Sequence, residues 1–488
     1  MSEAGFAIPF AEREQATLGL ARVERQLPKS LSRPLYSLLS QSPDPDAALR
    51  FMLRYLEAAS RDTVQELERQ PMALTYLLAI FGLSEPLGGT LLDDPGLALQ
   101  FARDRNFSRL KSSGDLMQDY ARFSVTSPDP WFSSQLARFK RRNYLRIALK
   151  DVLGIATLGE TMLELSTLAD VIVKLALAFC DRELEKRHGR PQHRDASGRI
   201  AAAGFSAVAL GKLGGNELSY SSGIALIFLY SQSGETAGGS DTAATLSNKE
   251  YFIRLAEAVT RTIAQSTPHG EVYRVDLGLR PDGQDGDLAI ALRSALEYYD
   301  HRANDRELDV LVRARHSAGD AHLTREFLQG VQPYVFRPPS ATDIADAAAE
   351  SGDGGSLGDQ IARGIRDIER LCQSLQRVHG GKDPWLRAGG TLLALRRLND
   401  KGILADAEYA RLSSAYEFFR RLEHRAELLG DQAADGGPAS QPDFRRLAQG
   451  IGIQLAAQQD GHAALLERVA EYTTEVGKIL SGKKGISE

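Results

Sequence analysis

Residues 208–230 read VALGKLGGNELSYSSGIALIFLY, and this stretch decides the fold class. The apolar runs at its two ends are typical of short buried β-strands. Between them lies a glycine-rich loop with a short helical turn, which contains Gly211, Gly214 and Gly215. Glycine lets a backbone approach a ligand closely, and the amides at the start of a helical turn suit a phosphate. Tight strand-to-helix turns also need glycine, so the loop alone leaves a phosphate site and a purely structural turn both open.

Further strands and helices are predicted on both sides of this stretch. β-forming runs start at Phe205 and at Glu271, and a helical pattern covers residues 250–265. Ahead of them, from about residue 10 to 185, apolar residues recur at spacings of three and four, which predicts helices. Beyond them apolar residues again recur with the helical period of 3.6, so the C-terminal part is predicted to be a helical bundle.

Two polar stretches predict where domains meet. The first, DRELEKRHGRPQHRDASGRIAAAG, surrounds residue 190, and the second, PPSATDIADAAAESGDGGSLGD, covers residues 338–359. We therefore predict an α+β fold in three domains: a helical N-terminal region at 1–190, an α/β domain at 191–340 and a C-terminal helical bundle at 341–488. The polar segment SQSGETAGGSDTAATLSNK after the second strand is predicted to be a surface loop.

Composition narrows the class of protein. The chain has 488 residues, 59 of them basic and 64 acidic, and the resulting charge of -5 argues against a general nucleic-acid binder. Cys180 and Cys372 lack a CxxC spacing, which predicts neither a zinc site nor a disulfide framework. The N-terminus has charges where a signal peptide needs an apolar core, and no apolar run approaches the roughly 18 residues of a membrane span. We predict a cytoplasmic protein with no nucleic-acid or membrane partner.

Four motifs carry a family resemblance. The first lies in the stretch quoted above, and the others are RVDLGLRPDGQDGDL at 274–288, RARHSAGD at 313–320 and RGIRDIER at 363–370. Through these motifs the chain resembles the glutamine synthetase adenylyltransferase/adenylyl-removase family, whose members are polymerase β-type nucleotidyltransferases. The likeness extends from about residue 70 to 430.

The resemblance implies a fold, cofactors and partners. It implies a polymerase β-type nucleotidyltransferase domain flanked by helices, the cofactors ATP and Mg²⁺, glutamine synthetase as protein partner and signals from nitrogen-regulatory proteins. The family enzyme has two such units, one that attaches AMP to a tyrosine of glutamine synthetase and one that removes it by phosphorolysis. This chain is most similar to the N-terminal, AMP-removing unit. The nucleotide-binding positions that the resemblance implies are Gly211, Lys212, Gly214, Ser222, Arg280 and Arg315.

The chain departs from the family pattern at the metal site. The family holds two divalent metals with an Asp-x-Asp pair, and here Gly223 and Ala225 occupy those positions. Mg²⁺ needs several hard oxygen ligands, which neither glycine nor a methyl group supplies through its side chain. Of the three family carboxylates only Asp276 is kept, and we predict that it is insufficient to hold the metal or to catalyse the reaction. Glu217 and Asp287 are the alternative donors if the site is rescued.

Other positions support the same interpretation. Gly278 stands where the family has a second arginine, and Arg306 stands where it has a tryptophan. Arg280 and Arg315 either hold triphosphate oxygens or pair with Asp276. We favour the pairing, because a buried carboxylate without a partner is costly.

These observations lead to two main hypotheses. The first is a glutamine synthetase adenylyltransferase-like protein with a degenerate, inactive site, which acts as a binding or regulatory module in nitrogen metabolism. The alternative is an active adenylyltransferase or adenylyl-removase that uses displaced metal ligands. A third hypothesis is a deliberate knockout, which Ala225 fits better than Gly223.

Overall fold

The computed structural model describes residues 8–238, 245–338, 356–430, 447–448, 450–451 and 461–483. Helices come first, a mixed sheet with its own helices follows, and further helices complete the described chain. This order confirms the predicted α+β class. The helices ahead of the sheet are α1 (Arg13–Gln26), α2 (Ser32–Gln41), α3 (Pro45–Ala58), α4 (Arg61–Arg69), α5 (Pro71–Phe81), α6 (Glu85–Asp93), α7 (Leu97–Arg103), α8 (Ser113–Thr126), α9 (Phe132–Val152) and α10 (Leu158–His188).

The strands lie in the middle of the chain with some of the later helices between them, and the remaining helices follow the last strand. The strands are β1 (Pro191–Arg194), β2 (Ile200–Ala202), β3 (Phe205–Leu210), β4 (Ile224–Tyr230), β5 (Glu235–Thr236), β6 (Val275–Asp276), β7 (Ala289–Ala291) and β8 (Arg315–Gly319). The helices are α11 (Gly211–Gly214), α12 (Asn248–Ala264), α13 (Leu292–His301), α14 (Asp305–Leu311), α15 (Ala321–Val335), α16 (Leu357–Gly380), α17 (Thr391–Asp400), α18 (Asp406–Leu428) and α19 (Gly461–Lys483).

The central sheet has the strand order β6-β4-β3-β8, and β7 also pairs with β4. β3 is antiparallel to β4 and β8, whereas β6 and β7 run parallel to β4. β3 and β4 are buried along nearly their whole length, which explains why both are apolar at every position except Ser206. The third predicted strand is shorter than expected, since only Val275 and Asp276 form β6.

Alternate residues of β3 and β4 face two different sets of helices. On one side, strand residues and residues of α13, α14 and α15 form an apolar cluster that includes Val208, Leu210, Ile227, Leu229, Tyr299, Leu308 and Phe327. On the other side, the ring of Phe205 stacks on Phe252 of α12 at a centroid distance of 5.3 Å. Burying each large apolar side chain contributes about 1.5–3 kcal/mol. The sheet is therefore well packed on both faces, and it fixes the positions of the loops at its strand ends.

A second, small sheet has the order β2-β1-β5 and is antiparallel. Its strands β1 and β2 lie in the polar stretch around residue 190, which the sequence pattern indicates only as a connection, and the beginning of that stretch belongs to α10. Part of the predicted surface loop, residues 239–244, lies outside the described residues, as does most of the second polar stretch, at 339–355.

The chain divides into two compact units. The first draws on residues within 1–110, 141–161 and 420–470, and the second draws on residues within 111–140, 162–419 and 471–488. Within the first unit, Arg425 forms a two-pronged ion pair with Asp151, with nitrogen–oxygen distances of 2.8 and 3.0 Å. The domain boundaries near 190 and 340 stay predictions. In the described ranges, none of the helices combines the length and the apolar character needed to cross a membrane.

Candidate functional site

The strand register brings the glycine loop, the two Asp-x-Asp positions and Asp276 together at one end of the central sheet, within the second unit. Leu210, the last residue of β3, pairs with Ala225 on β4, and Ala225 pairs in turn with Asp276 on β6. Gly211 and Gly223 adjoin these strand ends directly. The glycine loop, the two positions without a carboxylate and the retained carboxylate therefore form one continuous site.

The side chains of this site do not fit a magnesium ion. Ala225 offers a methyl group and Gly223 offers no side chain. Asp276 is exposed, and its Oδ1 accepts a 2.7 Å hydrogen bond from the amide of Gly278. Over the ranges that the structure describes, no group of three or more His, Cys, Asp or Glu residues is placed to hold a metal. Mg²⁺ usually takes one or two protein carboxylates and completes its octahedral shell with waters and substrate phosphates, so Asp276 alone offers fewer ligands than the three carboxylates of the family pattern.

Gly223 packs against the backbone segment that leads into β6. The amide of Ile224 donates a 2.9 Å hydrogen bond to the carbonyl of Arg274, and a Cβ at residue 223 would lie 3.0 Å from that same oxygen. This distance is shorter than a normal carbon–oxygen contact, so any side chain at 223 requires a small backbone shift at 274. Ala225 already has a Cβ, so only the first motif position is restricted in this way.

Different constraints favour glycine at residues 214 and 211 of the loop. A Cβ at Gly214 would lie 2.4 Å from the carbonyl oxygen of Arg313, so packing alone requires glycine there. Gly211 has φ +56°, in the left-handed region, and no atom lies within 4 Å of where its Cβ would be. Gly211 therefore meets the steric condition for close approach of a ligand. Lys212, which follows it, is partly exposed.

Ser222 shapes the segment that enters β4. Its Oγ accepts a 3.0 Å hydrogen bond from the amide of Ser219 and lies 2.7 Å from the Ser219 hydroxyl oxygen. This pair of contacts closes a tight turn immediately before Gly223. A nucleotide-binding role for Ser222 stays a prediction.

Arg280 holds together the turn that follows β6. Its guanidinium donates hydrogen bonds of 2.8–2.9 Å to the carbonyl oxygens of Leu277, Gln284 and Gly286. The turn contains Asp282, a non-glycine residue with φ +60°, and three bonds from one side chain support that conformation. Arg280 is thus engaged by backbone and not by Asp276.

Arg315 forms an ion pair with Asp170 and not with Asp276, the partner that we favour on sequence grounds. Its Nη1 donates to Oδ2 of Asp170 at 2.8 Å, and its Nη2 donates to the carbonyl of Leu213 at 2.7 Å. Ser317 donates a 2.6 Å bond to the other oxygen of Asp170. Burial raises the pKa of Asp170, and the opposing effect of Arg315 is smaller. The preferred pairing of Arg280 and Arg315 with Asp276 is therefore wrong, because backbone carbonyls and Asp170 occupy both guanidiniums.

With this geometry established, comparisons with known proteins identify the family. A family model described as glutamate-ammonia ligase adenylyltransferase matches residues 74–330, which is more than half of the chain. The chain belongs to that family. A second model, described as GlnD PII-uridylyltransferase, matches residues 363–482. The family resemblance inferred from the four motifs is confirmed.

Curated relatives of this adenylyltransferase-family chain are longer than it. The bifunctional glutamine synthetase adenylyltransferase/adenylyl-removing enzyme of Thioalkalivibrio sulfidiphilus is 32% identical over 86% of this chain and 43% of its own length. The enzyme of the same name from Xanthomonas campestris pv. campestris, strain ATCC 33913, is 31% identical over 92% of this chain and 44% of its own length. The chain therefore spans less than half the length of these relatives.

Glu217, a family motif residue and a candidate rescue ligand, lies in a buried ion network. Its carboxylate is 3.2 Å from Nη1 of Arg313, which also lies 3.3 Å from Glu369. Thr391 donates to Glu217 from both its amide and its hydroxyl, at 2.6 and 3.0 Å. Although burial opposes it, Glu369 and Glu217 raise the pKa of Arg313, so the guanidinium stays charged. Glu217 thus ties the glycine loop to α16 and α17 of this adenylyltransferase-family fold.

The second candidate rescue ligand, Asp287, forms an ion pair with Lys249 at 2.6 Å. Both side chains are exposed, and the pair raises the pKa of Lys249. In this structure both candidate rescue carboxylates have cationic partners within the protein.

We predict that replacing Ala225 with aspartate creates a magnesium-responsive site. The new carboxylate lies directly across from Asp276, and like charges at such a pair destabilise a sheet by up to about 1 kcal/mol. In EDTA at neutral pH we expect Ala225→Asp to have a lower melting temperature than the wild type. Added magnesium should raise the melting temperature of the variant again. Differential scanning fluorimetry measures both. Ala225→Asn is the matched control, because it has the same shape without the charge. Equal responses of the two variants to magnesium would contradict the prediction.

Proposed function

We propose that this chain is a glutamine synthetase adenylyltransferase-family protein whose nucleotidyltransferase site no longer performs metal-dependent chemistry, and that it acts as a binding or regulatory module in nitrogen metabolism. One observation carries the proposal: Ala225, paired with Asp276 across β4 and β6, and Gly223, immediately before β4, hold no carboxylate. Glutamine synthetase and a nitrogen-regulatory protein are the partners that we propose, on the strength of the family.

The expected loss of rate follows from what metals do in nucleotidyl transfer. They neutralise the triphosphate, lower the pKa of the attacking hydroxyl and stabilise charge on the leaving group, while the protein mainly positions the reactants. Removing two of the metal-binding carboxylates therefore removes several kcal/mol of transition-state stabilisation, which is on the order of 10³-fold in rate or more.

A direct assay in both directions tests this proposal. The chain is incubated with glutamine synthetase, labelled ATP and magnesium or manganese, and separately with adenylylated glutamine synthetase and phosphate. We expect no transfer or removal of AMP above background in either reaction. The bifunctional enzyme of T. sulfidiphilus, run in parallel, shows that the assay detects both activities. Metal-dependent turnover by this chain in either direction would refute the proposal.

The competing function, an active enzyme with displaced ligands, requires Glu217 or Asp287 to reach a metal. The buried ion pair of Glu217 with Arg313 counts against it, whereas the exposed pair of Asp287 with Lys249 is a weak obstacle. Calorimetric titration of the chain with ATP, in magnesium and in EDTA, distinguishes the two: an active enzyme binds ATP tightly only with magnesium, whereas binding that does not depend on the metal counts against an active enzyme.

A further inference from the structure

A cavity of about 480 Å³ lies in the first unit, where the C-terminal ends of α1 and α3 meet the beginning of α4. Its floor is apolar and includes Leu27, Leu56 and Val64, which are all buried. Its rim carries two exposed arginines, Arg25 on α1 and Arg61 on α4. Cavities of this size that combine an apolar lining with a few polar groups are typical of small-molecule sites. None of the four sequence motifs contributes to this cavity.

The helix ends around the cavity are held by local hydrogen bonds. The amide of Leu27 donates a 2.9 Å bond to the last turns of α1, and the amide of Ala59 donates a 2.8 Å bond to the carbonyl of Tyr55 on α3. Ser60 caps α4, because its hydroxyl oxygen accepts a 3.2 Å bond from the amide of Thr63. The backbone of the cavity walls is therefore fixed in advance, which lowers the entropic cost of binding a ligand.

The residues that line the cavity give it a positive charge. Arg25 and Arg61 line it, and no acidic residue does. Among the residues that the structure describes, neither guanidinium has a partner for an ion pair or a hydrogen bond. Asp62 follows Arg61 directly, but adjacent residues of a helix do not face each other, and Asp62 does not line the cavity. Both arginines are therefore available to an anion from solution.

Two other acidic residues adjoin lining residues in the chain, and each has a partner elsewhere. Glu24 accepts a 3.0 Å hydrogen bond from the hydroxyl of Tyr36, and Glu57 forms a 3.1 Å ion pair with Arg22. Neither of the two carboxylates lines the cavity. The nearby acidic residues therefore leave the two arginines of the rim to an external ligand.

We infer that this cavity binds a small organic dicarboxylate whose two acid groups are joined by an apolar chain. A guanidinium suits a carboxylate, because its N–H groups match the two carboxylate oxygens in pairs. An arginine on each of two helices provides for two carboxylates, and the apolar floor provides for the chain that joins them. Inorganic phosphate fits less well, since it has no apolar part to cover that floor. The inference goes beyond the proposed function, because it assigns a ligand to a different site.

Binding is tested on the full chain by calorimetry at physiological ionic strength, with adipate as the dicarboxylate. Hexanoate has the same number of carbons but one carboxylate, hexylamine carries a positive charge on a similar chain, and inorganic phosphate has charge without a chain. We expect saturable binding of adipate with a Kd on the order of 1 mM or tighter, with hexanoate at least about threefold weaker and the other two probes at least about tenfold weaker. No saturable binding of adipate, or equally tight binding of any other probe, would overturn the inference.

Variants of the two arginines locate the interaction. Arg25→Gln and Arg61→Gln should each weaken adipate binding by about threefold or more, since each removes one charge-assisted contact. Arg33→Gln is the matched control, because Arg33 on α2 is also exposed and without a partner among the described residues, but does not line the cavity. An equal effect of the control, or no effect of either cavity variant, would contradict the site. The assay contains no nucleotide and no glutamine synthetase, so its outcome is independent of the proposed function.

Discussion

Replacing Arg313 with methionine is expected to lower the free energy of unfolding by about 3–5 kcal/mol. The side chains of Arg313 and Glu217 are only 3% and 4% exposed, and Glu369 is 15% exposed. Methionine fills much of the same volume but leaves both carboxylates buried without their cation. The measurement is urea denaturation of the full chain, followed by circular dichroism.

A surface ion pair provides the control for this prediction. Arg293 pairs with Glu297 one helical turn away at 2.9 Å, but these side chains are 90% and 58% exposed. Arg293→Met should therefore change stability by no more than about 0.5 kcal/mol. If Arg313→Met does not fold, Arg313→Lys, which keeps the charge but loses the forked geometry, gives a measurable intermediate loss. A loss below about 1 kcal/mol for Arg313→Met would contradict the importance of the network.

The stability of the chain is expected to rise with pH above neutrality, by up to about 1.4 kcal/mol per pH unit, because of Lys140. The amino group of Lys140, on α9, donates a hydrogen bond to the carbonyl of Val272 and lies 4.2 Å from the ring centre of Tyr273. Burial lowers its pKa from 10.5 to about 7, and the nearby Arg274 acts in the same direction against Glu271.

The direction of this pH dependence of stability follows from proton uptake on unfolding. Below pH 7 Lys140 is protonated in both states, and the full cost of its buried charge is present. Between about pH 7 and 10.5 the folded state holds a neutral amine while the unfolded chain still binds a proton, so raising the pH favours folding. Denaturation of the wild type and of Lys140→Met at pH 7, 8 and 9 isolates this contribution. The variant should show a flatter dependence, and parallel curves would contradict the assignment.

The central strands and the glycine loop could be predicted from the sequence for a physical reason. Strands that are covered on both faces are nearly continuous apolar runs, and β3 and β4 are apolar at every position except Ser206. The family resemblance assigns the positions of Ala225 and Asp276 to one metal site, and the parallel register of β4 and β6 places the two residues side by side. These features depend on residues that are near one another in the chain or belong to a recognisable pattern.

The partners of the arginines could not be predicted in the same way. Asp170 lies 145 residues from Arg315, on a helix with no motif to mark it, so nothing in the sequence signals that contact. Arg280 bonds to carbonyl groups, which every residue has, and a sequence pattern does not distinguish one carbonyl from another. Glu217 carried a family signal but no indication that its partners would be Arg313 and Thr391.

The contact between Gly223 and the carbonyl of Arg274 makes the two motif positions differ in how they would accept an aspartate. At residue 225 the new carboxylate extends from a Cβ that is already accommodated. At residue 223 a Cβ would lie 3.0 Å from the carbonyl oxygen of Arg274, so the segment that leads into β6 must move by a few tenths of an ångström. Substitution at 223 therefore tests the backbone of this segment as well as the chemistry of the site.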